Sequence, residues 1–342
     1  FYSVFRQTPP NSHITVGKNN VLFEGGYIEE YLNIYRPLPQ EIIEERIIAM
    51  KKVQDALAER GKVFLLLITP SKASLYPEYI PEQFNKKQNK IMRNYDMLIP
   101  LLDKYRINYV DGHKVTSEKK KNSEYPMFPQ GGIHWNYLAA YYTSKEVVNK
   151  IEQITGRKMV NFELEKVVLE SPRGSDRDLA NLANLWKPPT NYLSPYPIIV
   201  TKQTGLEFKP TIFMDEASFS EQFISTLNSS DVFKQFDFYY YYHTHLQYKE
   251  GVIGGKEVGV VKKIDWENDI LNHDIIIVEM NEQVVSKLQG GFFNDIVTVL
   301  SPIQIKFNAI NQSNVTKTKV SGIDGYILKK GADGRSSIYL QS

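Results

Sequence analysis

The 342-residue chain contains no cysteine. This absence excludes disulfide bonds, thiol nucleophiles and thiolate metal sites within it. The formal net charge is only +2, which gives no electrostatic reason to expect a nucleic-acid partner. No run of 18 apolar residues occurs, so the sequence predicts no transmembrane helix within these residues. The chain is nevertheless long enough for one large or two modest domains.

Apolar runs alternate with amphipathic segments along most of the chain. Residues 41–60 carry apolar side chains at helical spacing, and 63–68 is a continuous apolar run typical of a strand buried on both faces. A helix is predicted at 135–154, and further short strands at 211–214 and 275–278. This alternation predicts a three-layer α/β fold with a mostly parallel sheet.

Two stretches depart from the alternation. Residues 156–210 read as an irregular excursion from a domain that spans 1–299. Residues 300–342 show short alternating runs separated by turn sequences such as Asp-Gly. We expect this last stretch to be a β-rich C-terminal segment, either as a small appended unit or as part of one.

Two segments carry the residue types that nucleophilic acyl chemistry needs. Residues 131–136 read Gly-Gly-Ile-His-Trp-Asn and contain His134, and residues 215–220 read Asp-Glu-Ala-Ser-Phe-Ser and contain Ser218. A serine hydroxyl is a weak nucleophile at neutral pH unless an imidazole accepts its proton. Ligands of parallel sheets bind beyond the carboxyl ends of the strands, and Ser218 follows a predicted strand. The two segments therefore offer a histidine base and a serine nucleophile, and the competing interpretations are a packed structural His-Trp pair and an ordinary Ser-Phe-Ser loop.

These segments resemble the SGNH-hydrolase-like acetyltransferases related to the alginate O-acetyltransferases, called the DHHW group. Residues 14–23 resemble the opening Gly-Lys-Asp-Gly-Trp-Leu-Phe hairpin of that family, and 64–77 its first core strand and Pro-x-Lys-x-x-x-Tyr-Pro loop. Residues 178–182 resemble its Asp-Leu-Ala helix start, and 274–282 its late strand ending in Glu-x-x-Glu. The resemblance covers most of the chain and implies an SGNH-like fold.

The resemblance implies an exported O-acetyltransferase. Ser218 would carry the acetyl group as an acyl-enzyme, His134 would be its base, and a cell-surface or extracellular polysaccharide would accept the group. A membrane-bound acyltransferase would supply the acetyl group, with no soluble cofactor and no metal. We expect a monomer that is secreted or held at the extracellular face of the cell membrane, with an export signal or membrane anchor upstream of Phe1.

The histidine motif departs from the family pattern. The family usually has Asp-x-His-Trp, in which the aspartate orients the histidine, and here Gly132 takes that place. Candidate substitutes are Asp178, Asp215, Glu216 and Glu279. We favour Asp178 as the third catalytic residue because it follows the histidine segment and opens a helical pattern. Its competing interpretation is a helix N-cap.

The serine motif departs as well. The family commonly has Gly-Asp-Ser or Gly-Thr-Ser, whereas this chain has Glu216-Ala217-Ser218. Without glycine, a left-handed backbone conformation at Glu216 is costlier. Of the two serines in the segment, the resemblance favours Ser218 as the nucleophile. We interpret Ser220 as the N-cap of the following helix.

Other polar residues have two interpretations each. Asn136 and Asn181 either complete an oxyanion hole with the backbone N–H of Ser218, or cap helices. His243 and His245 either hold a metal from one face of a strand or, as we favour, line an exposed strand edge.

Two further functions stay open beside the O-acetyltransferase. One is an esterase that removes acetyl groups, because water and a sugar hydroxyl compete for the same acyl-enzyme. The other is a non-catalytic polysaccharide-binding protein on a degenerate SGNH-like fold, which the departures at Gly132 and Glu216 favour.

Overall fold

The structure is a computed structural model of the chain. It describes residues 13–183, 192–216, 218–241, 243–261, 265–286, 293, 296 and 300, and the backbone of 315–320, 323–328 and 338–340. The chain divides into two units, Phe1–Leu300 and Ser301–Ser342.

The strands of the larger unit are, in chain order, β1 (Ile14–Val16), β2 (Leu22–Glu24), β3 (Val63–Thr69), β4 (Tyr109–Asp111), β5 (Asn161–Glu170), β6 (Ser194–Lys202), β7 (Thr211–Glu216), β8 (Gln235–Tyr240), β9 (Thr244–Lys249), β10 (Lys256–Val260) and β11 (Ile275–Asn281).

Its α-helices are α1 (Gly25–Tyr31), α2 (Gln40–Ala58), α3 (Lys72–Leu75), α4 (Glu82–Asn85), α5 (Asn94–Lys104), α6 (Gly112–Asn122), α7 (Tyr137–Thr155), α8 (Asp178–Leu182) and α9 (Ser220–Ser229). Shorter helical turns lie at Lys18–Asn20, Pro77–Tyr79, Gly174–Arg177, Trp266–Ile270 and Glu282–Val284. Among the described residues, no helix is both long enough and apolar enough to cross a lipid bilayer.

The central sheet has the strand order β10-β9-β8-β7-β11-β3-β4. Strands β8, β7, β11, β3 and β4 run parallel to one another, whereas β9 is antiparallel to β8 and β10 is antiparallel to β9. In the middle of the sheet, Ile277 of β11 pairs with Leu65 of β3 on one side and with Met214 of β7 on the other. The prediction of a mostly parallel sheet is confirmed.

Alternate residues of β3 belong to two different apolar cores. Leu65 and Leu67 pack with helices α7 and α9, while Phe64, Leu66 and Ile68 pack with helices α2 and α5. Successive side chains of a strand point to opposite faces of its sheet, so helices cover the sheet on both faces. The three-layer α/β fold predicted from the alternation of strands and helices is confirmed.

The stretch 156–210 is more regular than the sequence predicts. Strands β5 and β6 form an antiparallel ladder from Asn161↔Lys202 to Glu170↔Ser194, with one register shift at Leu164/Lys166. The prediction of an irregular excursion is therefore wrong for these two strands. Most β5 side chains are exposed or half-buried, so this ribbon lacks the clean apolar alternation by which strands are recognised.

The smaller unit contains an antiparallel three-stranded sheet. Strands β12 (Val315–Val320), β13 (Ile323–Leu328) and β14 (Ile338–Leu340) follow one another in the order β12-β13-β14. The β-rich character predicted for the C-terminal segment is confirmed. The boundary between a catalytic domain and this segment stays a proposal.

Candidate active site

Ser218 lies at the carboxyl edge of the central sheet. Strand β7 ends at Glu216, and helix α9 begins at Ser220, so Ser218 lies in a tight strand-to-helix connection. Its neighbour Ala217 lies outside the described residues. Glu216 is still part of the strand, and an extended residue does not need the left-handed freedom of glycine. The missing glycine is therefore tolerated at this position.

Ser218, His134 and Asp178 form a continuous chain of polar contacts. The Nε2 atom of His134 lies 2.8 Å from Oγ of Ser218. Its other ring nitrogen, Nδ1, lies 2.5 Å from Oδ2 of Asp178. The imidazole is buried, while Ser218 and Asp178 are partly exposed. An imidazole between a hydroxyl and a carboxylate is the arrangement that activates a serine for acyl transfer.

Backbone groups hold the carboxylate of Asp178 in place. Its Oδ1 atom accepts hydrogen bonds from the N–H of Ile133 at 2.8 Å and the N–H of Leu179 at 2.6 Å. Asp178 is the first residue of α8, and the N-cap position is Arg177. The N-cap interpretation of Asp178 is therefore wrong, because the residue lies inside the helix and bonds to Ile133 in the loop that carries His134, residues 131–136, here the histidine loop.

His134 is positioned by the two residues that follow it. The indole of Trp135 is fully buried and donates to the carbonyl of Phe219 at 2.9 Å. This hydrogen bond ties the histidine loop to Ser218 and Phe219, here the serine loop. Asn136 caps helix α7, since its side chain accepts from the N–H of Ala139. The ring of Phe219 also lies 4.7 Å from the imidazole, centre to centre. Phe219 therefore holds the histidine loop through two contacts, one with Trp135 and one with the imidazole of His134.

The backbone is packed too closely at Gly132 to admit a side chain. A Cβ atom there would overlap the carbonyl oxygen of Ser175 and would lie 2.9 Å from the carbonyl carbon of Asp176. The family's usual aspartate is thus sterically excluded at this position. The turn that opens α8 occupies that space, and it brings Asp178 to the imidazole instead.

The other described candidate acids, Asp215 and Glu279, do not contact Nδ1 of His134. Asp215 is buried within β7. Glu279 is buried in β11 and accepts a hydrogen bond from Thr69. The side chain of Glu216 lies outside the described residues. Among the described carboxylates, Asp178 is the one in contact with Nδ1 of His134.

Ser220 is not an N-cap, contrary to the sequence prediction. It is the first residue of α9, the N-cap position is Phe219, and no side-chain cap is made. The Ser220 hydroxyl is buried and has no hydrogen-bond partner among the described residues. The helix begins one residue earlier than predicted, because Ser218 and Phe219 complete the turn after β7.

The side-chain amide of Asn136 is already engaged, and Asn181 makes no hydrogen bond to Ser218 or His134 among the described residues. Besides capping α7, Asn136 donates to the carbonyl of Pro126 at 2.6 Å. Asn181 is exposed and accepts from the guanidinium of Arg177 at 3.0 Å. The cap interpretation holds for Asn136. The backbone N–H of Ser218 thus stays the leading candidate donor.

Lys72 is the lysine of the Pro-x-Lys segment in 64–77, and nothing else in its local sequence marks it as a residue of the site. The side chain is almost completely buried and donates to the carbonyl oxygens of Leu22 at 2.9 Å, Gln130 at 3.4 Å and Gly132. Burial lowers the pKa of Lys72 to about 7. A buried lysine below the histidine loop is therefore part of the site's support.

His243 and His245 do not share a strand face, because His243 lies in the turn before β9. His245 points to Asp237, a buried carboxylate on β8. Four side chains bond to this carboxylate, namely His245 at 2.6 Å, His273 at 2.8 Å, Gln247 at 2.9 Å and Gln235 at 2.5 Å. Within the described residues, no group of three or more ionisable side chains is arranged to hold a metal ion. The cluster is a structural network.

The sequence profile of a family described as the SGNH hydrolase-like domain of the acetyltransferase AlgX matches residues 14–220. This match covers more than half of the chain, and the chain belongs to that family. The family resemblance of the sequence motifs is confirmed. A search of curated proteins found no similar sequence.

The chain was also compared with solved structures. AlgX of Pseudomonas aeruginosa superposes with a TM-score of 0.52 at 13% identity, over 97% of this chain and 83% of that one. The O-acetyltransferase domain of Pseudomonas putida AlgJ gives 0.49 at 13% identity, over 84% and 99%. PatB1 of Bacillus cereus gives 0.42 at 12% identity, over 75% and 93%. At this identity, the similarity to AlgX concerns the fold alone.

Proposed function

We propose that the protein is an exported O-acetyltransferase that moves an acetyl group through a Ser218 acyl-enzyme onto a cell-surface or extracellular polysaccharide. The observation that carries this proposal is the contact chain from Asp178 through His134 to Ser218, in a chain of an acetyltransferase family. The same chain of contacts argues against a non-catalytic binding protein, because Asp178 supplies the acid that Gly132 lacks.

The geometry supports a two-step reaction. In the first step, Nε2 of His134 takes the proton of Ser218 Oγ, and the oxygen attacks the acetyl carbonyl carbon. The tetrahedral oxyanion collapses, and the donor's leaving group departs with the proton from His134. Asp178 keeps Nδ1 protonated and stabilises the imidazolium that forms in between. The product of this step is an acetyl ester on Ser218.

In the second step, a sugar hydroxyl takes the place of the leaving group. His134 accepts the hydroxyl proton, the sugar oxygen attacks the acetyl ester, and Ser218 Oγ recovers the proton as it leaves. Water in place of the sugar would give an esterase by the same steps. We further propose a membrane-bound acyltransferase as the acetyl donor, and a monomer at the outer face of the membrane or secreted.

The proposal is tested by turnover of a chromogenic acetyl ester, with acetyl transfer to oligosaccharides followed by mass spectrometry. We expect the acetyl group to appear on an oligosaccharide faster than free acetate is released. A serine-directed sulfonyl fluoride should label Ser218 and stop both reactions. Release of free acetate at the same rate with and without oligosaccharide, and no acetylated oligosaccharide, would identify an esterase. The absence of both labelling and turnover would favour the binding protein.

A further inference from the structure

One peptide group lies between Lys72 and Asp178. The carbonyl of Gly132 accepts a hydrogen bond from the ammonium of Lys72, and the N–H of Ile133 donates to Oδ1 of Asp178 at 2.8 Å. The second oxygen of Asp178 contacts His134 at 2.5 Å. A hydrogen-bonded path therefore runs from a buried ammonium, through a single peptide group and a carboxylate, to the imidazole.

The position of Lys72 is costly if it only joins segments of backbone. The residue is 4% exposed, and its three hydrogen bonds within the described part of the chain go to neutral carbonyl oxygens. Burial of an ammonium without a carboxylate in direct contact costs free energy. A neutral amide donor would satisfy carbonyl groups at a lower cost, so the charge itself requires an explanation.

We propose that Lys72 is a positioning residue for the candidate active site: its ammonium holds the Gly132–Ile133 peptide and, through it, keeps Asp178 against His134. This inference rests on the proposed function of Ser218 and His134. A positive charge at the Gly132 carbonyl polarises the peptide and strengthens the hydrogen bond that its N–H donates, because linked hydrogen bonds reinforce one another.

The charges around Lys72 agree with this coupling. Burial lowers its pKa to about 7, and the negative charges of Asp178 and Asp176 act in the opposite direction. The ionisation of Lys72 is thus linked to the carboxylate that it positions. In the family pattern, an aspartate on the histidine loop orients the imidazole. In this chain, the loop carries glycine, and the lysine below it secures an acid that comes from α8.

The absence of cysteine from the chain allows a direct test of the ammonium group. Lys72→Cys introduces a single thiol, which is alkylated in the unfolded chain and then refolded. Treatment with 2-bromoethylamine gives S-aminoethylcysteine, which restores an ammonium at the position of Nζ. Treatment with 1-bromopropane gives S-propylcysteine, which has the same length without charge. The two adducts therefore differ only in the group that meets the Gly132 carbonyl.

We expect the aminoethyl adduct to keep kcat for the acetyl ester within a few-fold of the unchanged chain, and the propyl adduct to lose about 10²-fold with KM unaltered. That loss is typical of a small misplacement of a catalytic group. The Nδ1 proton of His134, observed by NMR, reports its hydrogen bond to Asp178 without any turnover. We expect the Nδ1 proton of His134 to give a downfield resonance in the aminoethyl adduct and no such resonance in the propyl adduct.

Lys120 provides a matched control. Its ammonium also bonds a backbone carbonyl, that of Leu75 at 2.6 Å, together with Glu78 at 2.7 Å, but it has no recorded hydrogen bond to the histidine loop. The same two adducts of Lys120→Cys should differ in neither kcat nor the His134 resonance. A refolded propyl adduct at position 72 with unchanged kcat and an unchanged resonance would overturn the inference.

The unchanged chain provides a second measurement if the propyl adduct does not refold. The ¹⁵N shift of Lys72 Nζ gives its titration midpoint, and the amide resonance of Ile133 should move with the same midpoint. An Ile133 amide resonance whose chemical shift does not change across the Lys72 titration would contradict the inference. If the unchanged chain neither turns over esters nor reacts at Ser218, the proposed function fails, whereas these resonances still decide whether Lys72 positions Asp178.

Discussion

The Nδ1 atom of His134 lies 2.5 Å from a carboxylate oxygen of Asp178, a residue 44 positions further along the chain. The same carboxylate accepts two backbone N–H groups, so its orientation does not depend on the histidine alone. The imidazole is therefore held in the tautomer that leaves Nε2 free to accept the Ser218 proton.

Replacement of Ser218 by alanine removes the proposed nucleophile. We expect Ser218→Ala to lose labelling by a sulfonyl fluoride and to lower ester turnover by at least about 10³-fold, as for other nucleophilic serines. Ser220→Ala is the matched control, because that hydroxyl is two residues away and has no hydrogen-bond partner among the described residues. The control should retain labelling and turnover. Turnover that survives in Ser218→Ala would place the nucleophile elsewhere.

Asp178→Asn tests the acid. The amide oxygen of asparagine still accepts from the N–H groups of Ile133 and Leu179, so the melting temperature should change little. Its amide nitrogen would face Nδ1 of His134 and favour the wrong tautomer, so turnover should fall by up to about 10⁴-fold. Asp111→Asn, at the N-cap of α6, is a control that should leave turnover intact. An Asp178→Asn variant with full turnover would remove Asp178 from the mechanism.

Gly132→Asp would restore the usual family residue, yet we expect this variant to be destabilised and to gain no turnover. Any Cβ at position 132 overlaps the carbonyl of Ser175, so even Gly132→Ala should destabilise the fold by about 1–3 kcal/mol, the range of overpacked cores. Gly26→Ala in α1 is the control, since a Cβ there meets nothing within 4 Å. Thermal denaturation distinguishes the two. A stable Gly132→Asp variant with higher turnover would show that the natural site lacks an acid.

Asp237 should make the fold sensitive to acid. Burial raises the pKa of this carboxyl, but hydrogen bonds from His245 and His273, among others, outweigh burial and hold the pKa well below its ordinary value. A carboxyl with a lowered folded-state pKa stabilises the fold above its unfolded pKa of about 4, and this contribution is lost as the pH falls further.

The measurement is the free energy of unfolding in urea at several pH values between about 5 and 3. We expect Asp237→Asn to be less stable than the unchanged chain at pH 7 and to lose less stability on acidification. Asp103→Asn, which alters an exposed carboxylate, should retain the full acid dependence. Equal slopes for Asp237→Asn and the unchanged chain would show that Asp237 does not carry the effect.

Much of the fold follows from local pattern. The run 63–68 is apolar at every position because its strand is buried on both faces, and the parallel sheet follows from the alternation of such runs with helices. The ribbon of β5 and β6 was not predicted, because its half-exposed side chains leave no clear period. The motifs around His134 and Ser218 were also readable from the sequence, since each lies within a few consecutive residues.

The sequence by itself determined the sheet, the family and two segments with the chemistry of acyl transfer. It did not determine which acid meets His134, because four carboxylates were compatible with the motif, and the choice depends on how a turn 44 residues away packs. Only the tertiary structure shows that the backbone of Ser175 fills the space beside Gly132 and that Lys72 lies beneath the loop. Both are contacts with backbone groups of segments distant in the sequence, and no local pattern of side chains encodes them.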